Sequence, residues 1–347
     1  MDALVYSKAW DVSLAARPAP APLERDEVLL GVRATGICGT DVGIASGAYS
    51  AKAGVVLGHE SAGEVLATGP LATRFRKGDR VVVDPTFYCG QCRHCRTSRA
   101  NHCELKGRTE TGVSSDGTFA PLHVTTERFL HALPDGVDYD AASLTEPLSC
   151  AVTGVNQLRA HPALRAVVLG AGPMGMLYSW VLATRGLCGV IVEASSARRE
   201  VCRAVAPAAW STCSSLDEAA ASFGPEGQPL DVVVDTTGAL AAEAFQRLSR
   251  GGELLLVGLR RMPHTFDVGA IADRSLSVLG SIDSLNDSFS AALHLIASGA
   301  VPAGRLVTHR LPMAEFRAGF GLLGCDLDAG VLRAPSGALK VVLRPSL

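Results

Sequence analysis

Four cysteines, Cys89, Cys92, Cys95 and Cys103, stand at C-x2-C-x2-C-x7-C spacing. Four thiolates this close can wrap a tetrahedral Zn²⁺ in the closed geometry of a structural site. Close cysteines also hold iron–sulfur clusters, so the spacing points to metal before it points to zinc. A loop that is merely cysteine-rich is the third reading. Arg93, His94 and Arg96 would moderate the charge of a tetrathiolate, and His94 or His102 could stand in for one cysteine. Upstream, Cys38, His59 and Glu60 are the remaining soft and borderline donors, with glycines beside them. A catalytic zinc needs three protein ligands and one open position. Against that, a lone histidine is more often structural and a lone glutamate a surface charge, so spacing alone leaves this trio open.

A third stretch carries cofactor chemistry. Gly170-Ala171-Gly172-Pro173-Met174-Gly175 has G-x-G-x-x-G spacing and follows the apolar run Ala166-Val167-Val168-Leu169. The first glycine permits the tight turn, the second lets a pyrophosphate approach the backbone, and the third lets strand and helix pack closely. Met176 to Ala183 then continues as a helix would, offering N-terminal N–H groups to phosphate. The acid expected about 20 residues on, to bind the ribose hydroxyls, is Glu193 after Val190-Ile191-Val192. Two other readings compete: a glycine-rich turn without function, and a membrane span from Ala166 to Ala183, which carries no charge. Pro173, the clustered glycines and the acid-ended strand argue against the span.

These residues need elements to hold them. At 347 residues the chain exceeds one typical domain, so two are expected. With 48% hydrophobic and 19% charged residues it can bury cores and is too apolar for disorder. A formal charge of −2 without a block of like charges gives nucleic acid or an anionic membrane no electrostatic support. Met1 to Lys8 lacks the basic and apolar regions of a signal peptide, so a cytoplasmic protein is expected. Ten cysteines there read as thiols or metal ligands rather than disulfides.

Residues 1–150 show short strands such as Val28 to Ala34, the connecting loop Arg17 to Pro22, and many glycine turns, which suggests an irregular β region. From about 151 the pattern alternates strand and helix. Asp231 to Asp235 reads as a strand, Ala239 to Ser249 as a helix capped by Gly251-Gly252, and Glu253 to Gly258 as the next strand. That rhythm predicts a doubly wound parallel sheet. The last stretch, from about 286, holds a helix from Phe289 to Ala297 and a closing strand from Leu339 to Leu343.

Taken jointly, the chain resembles the zinc-dependent medium-chain dehydrogenases/reductases of the alcohol dehydrogenase superfamily, on the sorbitol (polyol) dehydrogenase side. The resemblance covers nearly the whole length. It is carried by Gly36-Ile37-Cys38-Gly39-Thr40-Asp41, Gly58-His59-Glu60-Ser61-Ala62-Gly63, Gly78-Asp79-Arg80-Val81, the cysteine lobe, Thr145-Glu146-Pro147-Leu148-Ser149, the glycine motif and Val307-Thr308-His309-Arg310. It implies an α/β plus β fold: a GroES-like irregular β catalytic domain from both chain ends (1–150 and 286–347, with a structural-zinc lobe at about 86–106) around a Rossmann domain with a doubly wound parallel sheet (151–285).

By that resemblance Cys38, His59 and Glu60 map onto catalytic zinc ligands, and Glu146 onto a carboxylate that binds the metal directly or through its water. Thr40 matches the hydroxyl that hydrogen-bonds the substrate alkoxide, with Asp41 a supporting acid. Two zinc ions are implied, one catalytic and one structural, with NAD as cofactor through Gly170, Gly172, Pro173, Met174, Gly175 and Glu193. Arg198 and Arg199 are placed to attract a 2′-phosphate, which keeps NADP open. A homodimer or homotetramer and a small-molecule alcohol or ketone substrate complete the implication.

The chain also departs from the pattern. Family members commonly carry Thr-Asp-x-His, whose histidine relays the proton to solvent. Here Thr40-Asp41-Val42-Gly43 has no such histidine, and His123 is not obviously a replacement. Phe119-Ala120-Pro121-Leu122 replaces the usual Phe-Ala-Glu-Tyr. Tyr49 and Phe119 are candidates to line the pocket, with ordinary packing as the competing reading. The expected activity is hydride transfer between NAD(P) and a secondary alcohol of a polyol, sugar, cyclitol or vicinal diol. The alternatives are an amino-alcohol or 3-hydroxy amino acid (threonine-type) dehydrogenase and a non-catalytic nucleotide-binding sensor or structural relative.

Overall fold

Leu4, Tyr6 and Ile37 from the start of the chain share one buried core with Phe316, Phe320, Val341 and Leu343 from its end. The computed structural model describes residues 1–20, 23–224, 229–260 and 262–346; in the loop Arg17 to Pro22, Ala21 and Pro22 lie outside the described residues. The chain divides into two units, Met1–Ser149 with Ser284–Leu347, and Cys150–Asp283.

The first unit is built on a seven-stranded sheet. Its central strand Glu27–Gly36 pairs antiparallel with Glu60–Thr68 on one side and with Lys340–Arg344 on the other. Leu122–Thr126 also pairs with Glu27–Gly36. Val28 and Leu30, two apart on the strand, place one face on a core with Val65, Val81, Val83 and Leu130. In this register Gly36 stands opposite Glu60, and Val342 opposite Gly36 on the far side. Residues 280 positions apart, Glu60 and Lys340, are thus delivered to one end of the same sheet. Asp140, buried at the start of the short helix Tyr139–Ala142, holds Arg310 at 2.7 Å and also pairs with Arg344, tying down the strands Val307–Pro312 and Lys340–Arg344.

The second unit is a six-stranded sheet in which every neighbouring pair is parallel. The spatial order is Trp210–Cys213, Cys188–Val192, Arg165–Leu169, Leu230–Asp235, Leu248–Leu256, Ser277–Gly280. Numbered from Arg165–Leu169, this is the 3-2-1-4-5-6 order of a dinucleotide-binding sheet, as the strand and helix rhythm predicts. Val167, Val190, Val233 and Leu254 are buried on one face of it.

Among the described residues no helix is long and apolar enough to cross a membrane. The apolar run from Ala166 to Ala183 is instead a strand, a turn at Gly170 and the helix Pro173–Thr184. Elsewhere the expected helix from Ala239 to Ser249 is shorter, Ala241–Gln246, and the next strand begins at Leu248. Gly251 and Gly252 lie inside that strand rather than capping a helix. Leu248 is buried opposite Leu230, and Ser249 donates to Asp231 Oδ1 at 2.7 Å, so tertiary pairing overrides local helix propensity. Gly251, at φ 75°, provides the irregularity in register that follows.

Candidate metal centres and cofactor loop

Cys38 lies two residues beyond the end of the strand Glu27–Gly36 and sits at the N-cap of the helix Gly39–Ser46. Its backbone N–H donates to Asp41 Oδ2 at 2.8 Å, while Asp41 Oδ1 accepts from Gly58 N at 3.3 Å. One fully buried carboxylate therefore joins the Cys38 turn to the loop that presents His59. Burial lifts the Asp41 pKa against the opposing pull of His59 and of the Cys38 N–H. Donor atoms of Cys38, His59 and Glu60 all lie within 4.8 Å of one another.

The residues present fit a metal. His59 Nδ1 is buried without a hydrogen-bond partner, and its nearest acid, Asp41 Oδ1, is 3.9 Å away. An imidazole with one nitrogen free of hydrogen bonds, together with a thiol and a carboxylate, is a donor set suited to Zn²⁺. The local field also favours a cation. Burial opposes a charged His59, yet Cys38, Asp41 and Glu146 lift its pKa well above the ordinary imidazole value. Glu146, at the start of the helix Thr145–Val155 and 9% exposed, does not join the 4.8 Å group. Thr40 is half-buried on the first helical turn, two residues beyond Cys38.

Sequence reasoning missed Lys340. It is 2% exposed, and its Nζ donates to Glu60 Oε1 at 2.7 Å, Glu60 Oε2 at 2.6 Å and the Ile37 carbonyl at 3.2 Å. Burial works against its charge, but Glu60, Cys38 and Glu146 hold its pKa above the ordinary lysine value. No sequence signal marks it, because a lysine in a closing strand reads as solvent-facing.

The lobe cysteines form the second group, with all four sulfurs within 4.8 Å of one another. Cys89 and Cys92 lie 3.9 Å and 3.4 Å from Cys95, near the ~3.8 Å edge of a tetrahedron with Zn–S of about 2.3 Å. Backbone N–H groups already point at sulfur: Cys89 N at Cys103 Sγ and Cys92 N at Cys89 Sγ, both 3.3 Å. Such donors from Cys95 and Glu104 lower Cys92 to about 6, while burial and then the neighbouring thiols push Cys95 up to about 12. Four sulfurs that resist sharing negative charge suit a divalent cation at their centre. None of the ten cysteines is disulfide-bonded.

In the second unit Gly170 takes φ 94°, Gly172 is the helix N-cap and Pro173 its first residue. A Cβ on Gly175 would overlap the Gly170 carbonyl oxygen, so the loop and helix close only around glycine. Glu193, at the end of the neighbouring strand, accepts from Ala171 N at 3.0 Å and from Ser195 N at 2.9 Å. Of the two arginines beyond it, Arg199 Nη1 is spent on the Glu193 and Ala194 carbonyls at 2.6 Å and 2.7 Å. Arg198 instead lies 3.8 Å from Glu193 Oε2 with its Nε buried and unpartnered.

Of the two pocket candidates, one falls to the competing reading of ordinary packing. Phe119 is fully buried in the main core, and Tyr49 packs against that core half-buried, so packing accounts for Phe119. His123 is buried in the strand Leu122–Thr126, and burial pushes its pKa down to about 4.

The chain is similar to known dehydrogenases over nearly its whole length. Residues 24–135 match the family profile described as "Alcohol dehydrogenase GroES-like domain", and residues 139–324 match "Glucose dehydrogenase C-terminus". The chain is 31% identical to a sorbitol dehydrogenase of Halalkalibacterium halodurans, covering 99% of each. It is 34% identical to D-xylulose reductase A of Aspergillus oryzae, over 84% of this chain and 85% of the relative. Among solved structures, an E. coli CFT073 alcohol dehydrogenase complexed with NADH superposes at TM-score 0.86, and a zinc-binding dehydrogenase of Sinorhizobium meliloti 1021 bound to NADP at 0.87. Each is 25% identical, with 99% of both chains covered.

Proposed function

The chain belongs to the zinc-dependent medium-chain dehydrogenases/reductases of the alcohol dehydrogenase superfamily, on the polyol-dehydrogenase side, and we propose that it exchanges a hydride between NAD and a secondary alcohol of a polyol or sugar alcohol. The observation that carries this is the convergence of Cys38, His59 and Glu60, with an orphaned imidazole nitrogen, beside Thr40. The polyol assignment draws on relatives that act on sorbitol and xylulose. A nucleotide-binding relative without catalysis has no use for that set of donors.

Cys38, His59 and Glu60 would hold the catalytic zinc and Cys89, Cys92, Cys95 and Cys103 the structural one. When bound, the first ion supplies Lewis acidity that lowers the pKa of a substrate hydroxyl, and the nicotinamide supplies the hydride acceptor. The remaining work falls to the chain. Asp41 fixes the Cys38 turn and the His59 loop through the Cys38 and Gly58 N–H groups. Thr40 orients the substrate hydroxyl and takes its proton into a hydrogen bond. Glu146, outside the tight donor group, is assigned the water-mediated role rather than direct ligation. Gly170, Gly172, Pro173, Met174 and Gly175 cradle the pyrophosphate, and Glu193 receives the ribose hydroxyls. This reading includes a cytoplasmic homodimer or homotetramer.

The test is a panel of polyols, vicinal diols, cyclitols and amino alcohols with NAD and NADP, followed by reduced-nicotinamide absorbance before and after chelation. Turnover of a polyol with NAD, lost on chelation, is the expected result. Preference for threonine or another amino alcohol would replace the substrate assignment, and no turnover of any panel member would remove the catalytic one.

A further inference from the structure

Glu60 is asked to serve two cations. Its donor atom lies within 4.8 Å of those of Cys38 and His59, yet both of its oxygens accept from Lys340 Nζ, at 2.7 Å and 2.6 Å. The pair is almost wholly buried, with side chains 2% and 1% exposed. The ammonium's third donor goes to the Ile37 carbonyl, one residue before Cys38. Two Lys340 donors thus go to a metal donor and the third to the backbone leading into Cys38, from a strand at the other end of the chain. Gly36 makes the room: a Cβ there would overlap Glu60 Oε2 and come within 3.3 Å of Lys340 Cδ. The central strand therefore carries a notch in which the carboxylate and ammonium meet.

A carboxylate has about four lone-pair sites, so it can face an ammonium and a metal together. How firmly it binds the metal then depends on how much of its charge the ammonium holds. We propose that Lys340 is a positioning residue for Glu60: by engaging both oxygens it draws off part of the carboxylate's charge and keeps Glu60 the most weakly held of the three donors at the Cys38–His59 centre. Without Lys340 the nearest cation for a buried Glu60 is the metal itself, and the carboxylate grips it more tightly. The inference rests on the reading of Cys38, His59 and Glu60 as metal donors.

The test follows metal release from the loaded enzyme to a chelator, with Cys38→Ala reporting the lobe metal alone. Lys340→Met should slow release from the Cys38 centre by about 10–100-fold, the scale on which groups behind the ligands move metal affinity. Lys340→Arg should restore wild-type release. In a Glu60→Gln background, Lys340→Met should have no such effect. Cobalt-substituted protein gives the second readout: the visible spectrum of the Cys38-centre cobalt should change in Lys340→Met and not in the double variant. If Lys340→Met does not fold, Lys340→Gln, which keeps a donor but not the charge, carries the same expectations. Equal slowing with and without Glu60 would overturn the proposal in favour of a bare charge effect. Faster release with an unchanged cobalt spectrum would reduce Lys340 to packing. Neither result touches the metal assignment, which falls separately if Cys38→Ala loses no metal.

Discussion

The carboxylate of Glu193 accepts the backbone N–H of Ala171, 22 residues earlier, at 3.0 Å. An acid at the end of one strand therefore clamps the glycine loop that follows its neighbour. The same group accepts from Ser195 N, so its orientation is fixed from both sides. A carboxylate held by backbone N–H groups is a preorganised acceptor for hydroxyl donors and a repulsive one for phosphate.

Glu193→Ala should consequently do two things. Loss of charge-assisted hydrogen bonds worth about 1.5–3 kcal/mol should raise KM for NAD by roughly 10–100-fold. It should also release Arg198, now 3.8 Å from the acid, to meet a 2′-phosphate, so the NADP/NAD ratio of kcat/KM should rise. Adding Arg198→Ala should cancel that rise. A wild-type enzyme that prefers NADP would reverse the assignment and give Arg198 the leading role.

Metal analysis should find two zinc ions per chain, from the two separate donor groups. Cys38→Ala should lose one ion and keep its fold, because the main core lies in other residues. Cys95→Ala should lose the other and lower thermal stability, since that lobe consists of short 3₁₀ turns with little buried apolar area. One ion per fully loaded wild-type chain would remove the two-centre reading.

How much of this was legible beforehand follows from the range of the interactions. The glycine loop and the cysteine lobe were readable because their geometry is local: both are set within about twenty residues, and turn or ligand chemistry restricts which residue types serve. Lys340 was invisible because its partner is 280 positions away and only the register Gly36–Glu60 and Gly36–Val342 brings them together. The helix expected to reach Ser249 failed for the same reason, since a non-local pairing of Leu248 with Leu230 outweighed local preference. For Phe119 the sequence supports pocket lining and packing alike, because side-chain direction in an irregular β region has no sequence period to betray it.

Acid sensitivity should trace in part to His123. Burial lowers its pKa from 6.5 to about 4 in the folded chain. Between these values the unfolded chain binds a proton that the folded chain refuses, so stability rises with pH across that window. The contribution is fully present above about pH 6.5 and is lost as pH falls towards 4. At about 1.36 kcal/mol per unit it amounts to roughly 3 kcal/mol. His123→Gln should therefore flatten the fall in Tm between neutral pH and pH 4, and an unchanged slope would assign that fall to other groups.

The absent relay histidine yields the last expectation. Thr40 and Gly43 stand three apart on the helix Gly39–Ser46, so an imidazole at 43 would lie on the same face, one turn from the hydroxyl. Gly43 is not a glycine for the sake of its backbone. Its φ is not positive, and a Cβ would meet Tyr49 Cβ at 3.3 Å, a crowding relieved by a few tenths of an ångström. Replacing glycine by histidine inside a helix also recovers about 0.3 kcal/mol, which offsets part of that crowding. Gly43→His should thus fold and either raise the oxidation rate at neutral pH or lower the pH at which the rate levels off. Thr40→Ala should reduce kcat by about 10²–10⁴-fold, the usual worth of proton transfer by a positioned group, while Thr40→Ser should retain activity. The decisive measurement is the pH profile of kcat for Gly43→His beside its Tm. A lowered Tm would mean that Tyr49 does not yield. An unchanged profile at wild-type Tm would show that the proton already leaves as fast through water or the cofactor ribose as an imidazole could carry it.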